Sequence, residues 1–262
     1  GSEMCIRDRT EAITLEQSKL TLSKDITVLS FSDSSMVDRN SSIIKVDSGW
    51  IVYSKNSESS ILSFTSDGQF SGYIGHRGNG PGEYTSVYDV VVNQKSKVLE
   101  VLSDGGIFCY TFGGDFLDKK EVTYPAFSFA IDDRQNYWFY VGNNTTYGDA
   151  KMICTDENIA NVAYYLHQKS NMLPMVENNF GRNGEWLTFH ESLNHDLYTI
   201  ENGKLDLSYA MDFPNYKLPK KLHELSGMEV IEELQRSNYA SIINYLENHD
   251  YISVSYTHLT LP

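Results

Sequence analysis

Ile61-Leu62-Ser63-Phe64-Thr65-Ser66-Asp67-Gly68-Gln69-Phe70 decides the fold. Displaced by 46 residues, it meets Ile107-Phe108-Cys109-Tyr110-Thr111-Phe112-Gly113-Gly114-Asp115-Phe116, where isoleucine, aromatic, threonine, glycine and phenylalanine recur. A further 44 residues on, Asn158 stands in the glycine's place, and 45 more lead to Gly203 within Tyr198-Thr199-Ile200-Glu201-Asn202-Gly203-Lys204-Leu205. Glycine adopts positive φ without steric cost, and asparagine is its best substitute. Between alternating apolar runs such residues are hairpin chemistry. Gly68, Gly114, Asn158 and Gly203 therefore mark one recurring turn.

Outward from each turn the repeat supplies two more strands. The first unit has Ile43 to Asp47 and Trp50 to Ser54 ahead of its marked hairpin, and the second has Val87 to Asn93 and Lys97 to Leu102. The third has Phe127 to Asp132 and Asn136 to Val141; the fourth has Glu185 to His190, with a weak innermost strand near Val176 to Phe180. Ile26 to Phe31 reads as part of a further unit. Four strands at a period near 45 residues describe the blade of a β-propeller. The expected fold is all-β, a propeller of six-bladed type with about four to five blades present. A two-sheet sandwich is the runner-up, because it too shows regular short strands.

One stretch departs from the pattern. Within residues 217–247, Leu218, Leu222, Leu225, Val230, Ile231, Leu234, Ile242, Ile243 and Leu246 recur at three- and four-residue steps. Pro219 suits a helix start and Gly227 a break. The spacing predicts two helices, a short helical insertion near the C-terminal end.

The two ends are related in an unusual way. Residues 1–9 read GSEMCIRDR and residues 254–262 read VSYTHLTLP. A DNA strand that encodes Met4 to Arg9 has a complement that encodes Val254 to His258 in one frame. Both ends are therefore expected to be translated sequencing-adapter sequence, leaving residues 10–253 as an incomplete propeller domain.

Composition narrows the function classes. The 262 residues carry a net charge of −14, which opposes binding to nucleic acid phosphates. No apolar run is long enough to span a bilayer as a helix. Cys109 and Cys154, the cysteines outside residues 1–9, make neither a disulfide framework nor a four-ligand zinc site. No cofactor is expected.

Gly75-His76-Arg77-Gly78-Asn79-Gly80-Pro81-Gly82-Glu83-Tyr84 exposes enough backbone N–H groups to suggest a phosphate loop. A phosphate loop opens onto a helix and carries a Lys-Ser/Thr pair; here a strand, Val87 to Val92, follows. The stretch reads as a crossover between blades, in which Arg77 and Glu83 either pin the loop or meet a ligand. If any of it binds, the candidates are His76, Arg77, Glu83 and Tyr84. His190 and His195 flank a four-residue loop and, with Glu191 or Asp196, form a weak alternative metal site. Asp132, Asp133 and Asn136 read as a solvated turn, since the calcium-loop series is absent. Trp50, Trp138, Trp186 and Phe189 fall on alternating strand positions and are expected to pack between blades.

Residues Ile61 to Phe116, with Asp67-Gly68-Gln69-Phe70, the glycine-rich stretch and Val90-Val91-Val92, resemble NHL-like six-bladed propellers. More narrowly they are similar to the six-bladed propeller lipoproteins of Bacteroidota. Asn194-His195-Asp196-Leu197-Tyr198 and Leu218-Pro219 follow the later part of that pattern. The resemblance implies a cell-envelope location, in the periplasm or on the outer-membrane surface, with a lipid anchor on the full-length protein. It implies binding of a protein or carbohydrate rather than catalysis. The alternative is a metal-dependent, lactonase- or lyase-like propeller enzyme whose site lies at the channel mouth. Such a site needs ligands from several inner strands, where Asp89 is suitable but its rough counterparts Ile43 and Ser128 are not.

Overall fold

The computed structural model describes residues 4–7, 26–30, 37, 41–55, 60–142, 148–167, 178–225 and 228–258. After β1 (Met4–Arg7), the strands fall into four-stranded antiparallel meanders. The first blade is β2 (Ser42–Val46), β3 (Gly49–Tyr53), β4 (Ile61–Thr65) and β5 (Phe70–Ile74). Two short strands follow, β6 (His76–Arg77) and β7 (Glu83–Tyr84), paired in parallel. The second blade is β8 (Asp89–Asn93), β9 (Val98–Ser103), β10 (Gly106–Tyr110) and β11 (Phe116–Lys120). The third is β12 (Ser128–Ile131), β13 (Tyr137–Tyr140), β14 (Ala150–Thr155) and β15 (Ala163–His167). The fourth is β16 (Phe180–Asn183), β17 (Trp186–His190), β18 (Asp196–Glu201) and β19 (Lys204–Asp212), with β1 added in parallel along β19. A 3-10 helix (Lys220–Glu224), α1 (Met228–Arg236) and the hairpin β20 (Ala240–Glu247)–β21 (Ile252–His258) complete the order. This is an all-β, propeller-type fold with one short α-helix among the described residues. It divides into two compact units: residues 11–123 hold the first two blades, and residues 124–262 with 1–10 hold the rest.

Within each unit both faces of the central strands are apolar, because blades stack face to face. In the first unit Ile51, Tyr53 and Ile61 pack with Val90, Leu99, Val101 and Tyr110 of the second blade. The alternate residues Val52, Leu62 and Phe64 form a separate cluster with Leu29. In the second unit Trp138, Tyr140 and Met152 meet Leu187, Phe189, Tyr198 and Ile200 across the seam between the third and fourth blades. Hence β13 is buried at every position, and its sequence reads as an unbroken aromatic run. The outermost strand β11 is instead largely exposed, which suits its Asp118, Lys119 and Lys120.

The four marked turns all join the third and fourth strands of their blades, as the repeat predicts. In the first three, one turn type recurs: Gly68 N–H donates to Thr65 O, Gly114 N–H to Thr111 O and Ile159 N–H to Asp156 O. The first two need glycine, at φ +89° and +98°. The third corrects the sequence alignment by one residue, since Ile159 takes positive φ (+58°), not Asn158. The fourth turn is tighter; Asn202 (φ +54°) and Gly203 (φ +73°) form a two-residue connection.

Three other expectations are corrected. The innermost strand of the fourth blade is Phe180–Asn183, so the segment placed at Val176 to Phe180 lay too early; residues 176 and 177 are outside those described. Helix covers only Lys220–Glu224 and Met228–Arg236, and Gly227 also lies outside the described residues. The first part of the second expected helix, with Val230, Ile231 and Leu234, is α1, but its latter part, carrying Ile242, Ile243 and Leu246, is strand β20. The register slips between Ile242 and Asn244, a bulge that skips Ile243 and leaves it 52% exposed. A bulge adds one residue to a two-residue period, so buried positions fall three apart and imitate a helix.

Candidate functional site

The glycine-rich stretch is a helix-free connection ahead of the second blade, as expected of a crossover. Gly75 (φ +61°) and Gly82 (φ +74°) take the left-handed conformation. A Cβ on Gly78 would lie 2.0 Å from the Glu83 carboxylate. That carboxylate accepts the Gly80 N–H at 2.8 Å. Within the stretch that invites a phosphate reading, the Gly80 amide is thus taken by the chain's own anion and the Gly78 amide by Tyr84 O. Tyr84 is fully buried; its hydroxyl donates to Ile74 O (3.1 Å) and accepts Ile61 N–H (3.2 Å). Tyr110 ties down Gly82 O at 2.9 Å. Arg77 donates through Nε to Thr85 O at 2.8 Å, while its side chain and that of His76 lie on the surface. The structure therefore divides the four candidates. Glu83 and Tyr84 hold the loop, Arg77 both pins it through Thr85 O and reaches the surface, and His76 is exposed.

Counting back from the first hairpin of each blade, Ser42, Asp89, Ser128 and Asn179 are equivalent, each four residues before Val46, Asn93, Asp132 and Asn183. Ser42, not Ile43, is therefore the counterpart of Asp89. Opposite Ser42 and Ser128 stand Tyr53 and Tyr140. Each tyrosine opens the same trio. Tyr53 donates to Asp89 Oδ1 (3.2 Å), which also pairs with Lys55 Nζ at 2.9 Å. Tyr140 donates to Glu191 Oε1 (2.6 Å), which pairs with Lys151 Nζ at 3.0 Å. In both trios the carboxylate comes from the following blade, and tyrosine and lysine come from the same preceding one. The Lys151 and Glu191 side chains are only 3% and 7% exposed. Burial, followed by the Asp89 charge, raises the Tyr53 hydroxyl pKa well above its usual value, so Tyr53 is a donor and not a nucleophile.

Glu191 is thereby committed to Lys151 and Tyr140 rather than to a metal. His190 and His195 enter different surroundings. His190 is 1% exposed, and neither ring nitrogen makes a well-formed hydrogen bond. Desolvation lowers its pKa to about 4, although backbone at Ile243 and Asn179 and the Glu191 charge favour the protonated ring. His195 places Nε2 2.9 Å from Ala240 O and its ring 4.7 Å from that of Phe213. Among the described residues no group of three or more His, Cys, Asp or Glu side chains is placed to hold a metal ion.

The turn at Asp132 is not a solvated one. Asp132 is buried and accepts Arg134 N–H, Asn136 N–H, the Asn136 amide and Trp138 Nε1, all within 2.8–3.0 Å. Trp138 and Phe189 are fully buried between blades, whereas Trp50 and Trp186 are half-buried. Sequence reasoning missed both trios. Aligning β3 with β13 brings Tyr53 onto Tyr140, but Lys55 and Lys151 hold no equivalent places in the repeat.

A family model described as a domain of unknown function, DUF4934, matches residues 11–260. The chain belongs to the DUF4934 family. That match takes in residues 254–260, and with them β21, although the antisense relation leads one to expect adapter sequence there. No curated protein matches the chain in sequence. A Bacteroides fragilis protein described as exported has a similar crystal structure, with a TM-score of 0.79 at 16% identity, over 98% of this chain and 75% of that one. A DUF4221 family member from Bacteroides vulgatus has a TM-score of 0.58 at 10% identity, over 86% of this chain and 72% of that one. At these identities the likeness concerns the fold alone.

Proposed function

We propose that this DUF4934 chain is a non-enzymatic binding propeller of the bacterial envelope, in the periplasm or on the outer-membrane surface. We also propose that it takes its ligand at the glycine-rich crossover. The observation that carries the reading is a loop clamped by Glu83, Tyr84 and Tyr110 that presents two adjacent basic side chains, His76 and Arg77. A fixed backbone lowers the ordering cost of binding. On a chain of net charge −14, an exposed arginine beside a histidine selects an anionic group, carried by a carbohydrate or a protein. That Asp89 is held by Lys55 also favours binding over metal-dependent catalysis at the inner strands. The exported description of the Bacteroides fragilis protein supports the location.

The test is binding of defined polysaccharides, polygalacturonate and dextran sulfate against neutral dextran, to the full chain and to its His76→Ala/Arg77→Ala variant. Binding of an acidic polymer that the variant loses supports the assignment. Equal binding by the variant removes the crossover from consideration.

A further inference from the structure

The hairpin β20–β21 seats on the fourth blade by an unusually close backbone approach. Thr188 donates to Tyr245 O at 2.8 Å, and a Cβ on Gly181 would lie 2.3 Å from that same oxygen. Ser241 reaches Ser192 O at 3.1 Å. The apolar part of the seat is Leu197, Phe213, Ala240, Ile242 and Tyr245. At one end of it lie two histidines. His190 shares the β17 face of Thr188 and is sealed in, with no well-formed hydrogen bond at either ring nitrogen. His195 binds β20 itself, through Ala240 O.

We propose that β20–β21 is an acid-released element, docked over neutral His190 and His195 at neutral pH and freed when these rings are protonated. An imidazolium at His190 would be a charge sealed from water, and such a charge is relieved most easily by opening the surface that seals it. Burial lowers the proton affinity of both rings, to about 4 for His190. Both are therefore neutral while docked and take up protons when wet. The charged groups around the seat bear on this in known directions. Glu191 follows His190 in the chain but is held by Lys151. The Ala240 carbonyl, then Asp196 and Asp212, favour a charged His195, but its burial outweighs them. Asp212 also lies 3.6 Å from Lys217. At the far end of β20, buried Glu247 accepts Tyr209 OH at 2.9 Å and the Tyr245 hydroxyl. The adjoining helical segment carries the pair Lys221–Glu233, whose carboxylate is half-buried, and His249 in the hairpin turn lies 3.5 Å from exposed Glu185.

Sign follows from linkage: a histidine with a depressed folded pKa supports docking fully above about pH 6.5, and that support fades as pH falls toward 4. Release uncovers Leu197 and Phe213 on the seat, and Ile242 and Tyr245 on the hairpin.

Hydrogen exchange with mass spectrometry on the full chain, corrected for intrinsic rates, reads this directly at pH 7.5, 6.0 and 4.5. Peptides covering 240–256 are expected to exchange at least tenfold faster at pH 4.5 than at pH 7.5, while peptides covering 98–110 keep their protection. In a His190→Leu/His195→Gln variant the hairpin should stay protected at pH 4.5; His190→Leu alone, which leaves the His195 contact intact, should retain most of the effect. The proposal is overturned if the wild-type hairpin stays protected at pH 4.5. It is equally overturned if both regions open together, or if the double variant releases as the wild type does.

Discussion

Lys151→Met removes one member of the buried trio and leaves the Glu191 carboxylate with Tyr140 and Asn194 as its remaining named donors. Methionine keeps most of the lysine's length, so packing against the seam changes little. The cost is that of a carboxylate sealed from water without its cation, ~3–5 kcal/mol for a pair broken from one side. Lys217→Met is the internal control. Its partner Asp212 lies 3.6 Å away and the lysine is 65% exposed, so its loss should cost under ~1 kcal/mol. Urea titrations followed by circular dichroism measure both, and the shared slope checks that the same surface unfolds. The double change Lys151→Met/Glu191→Gln should recover about half or more of the single loss, because the uncompensated charge is gone. Added salt should not weaken the Lys151→Met loss, since mobile ions do not reach that site. A Lys151→Met loss no larger than that of Lys217→Met would refute the assignment of this trio as a sealed ion pair.

Ile159→Asn should raise stability by up to ~1 kcal/mol, because a β-branched residue at φ +58° is strained and asparagine is not. Asn158→Ala, one position away, should bring no gain; thermal melts compare the two. Burial raises the Cys109 and Cys154 thiols to about 12, so neither should react with a disulfide dye at pH 8 until urea unfolds the chain. Reaction of either thiol in the folded protein would contradict its placement.

Blade architecture was legible in the sequence because glycine at positive φ leaves few substitutes, and the turns at Gly68 and Gly114 recur with their flanking apolar runs. Where the residue type is not diagnostic, reading slipped. Ile159 carries no sign of its left-handed backbone, and Asn158 beside it does. Ile242, Ile243 and Leu246 deceived for a different reason, since a bulge is invisible in a list of apolar positions. At the crossover the sequence excluded a phosphate loop through the strand that follows, but it did not show that Glu83 would take the Gly80 amide. The trios were illegible because each joins residues from different blades. No spacing within one repeat connects Lys151 to Glu191.

The two trios bear on how such a chain avoids assembling itself wrongly. Blades made from one repeat offer their neighbours similar apolar faces, and misassembly between like modules is a characteristic failure of repeat proteins. An oily face accepts many partners. A face carrying Lys55 or Lys151 accepts only one that brings a carboxylate to the right height, because any other partner would bury the ammonium unanswered. Asp89 supplies that answer from the second blade and Glu191 from the fourth, by different routes through the repeat. The seams are therefore keyed as well as glued, and the two keys differ in cut.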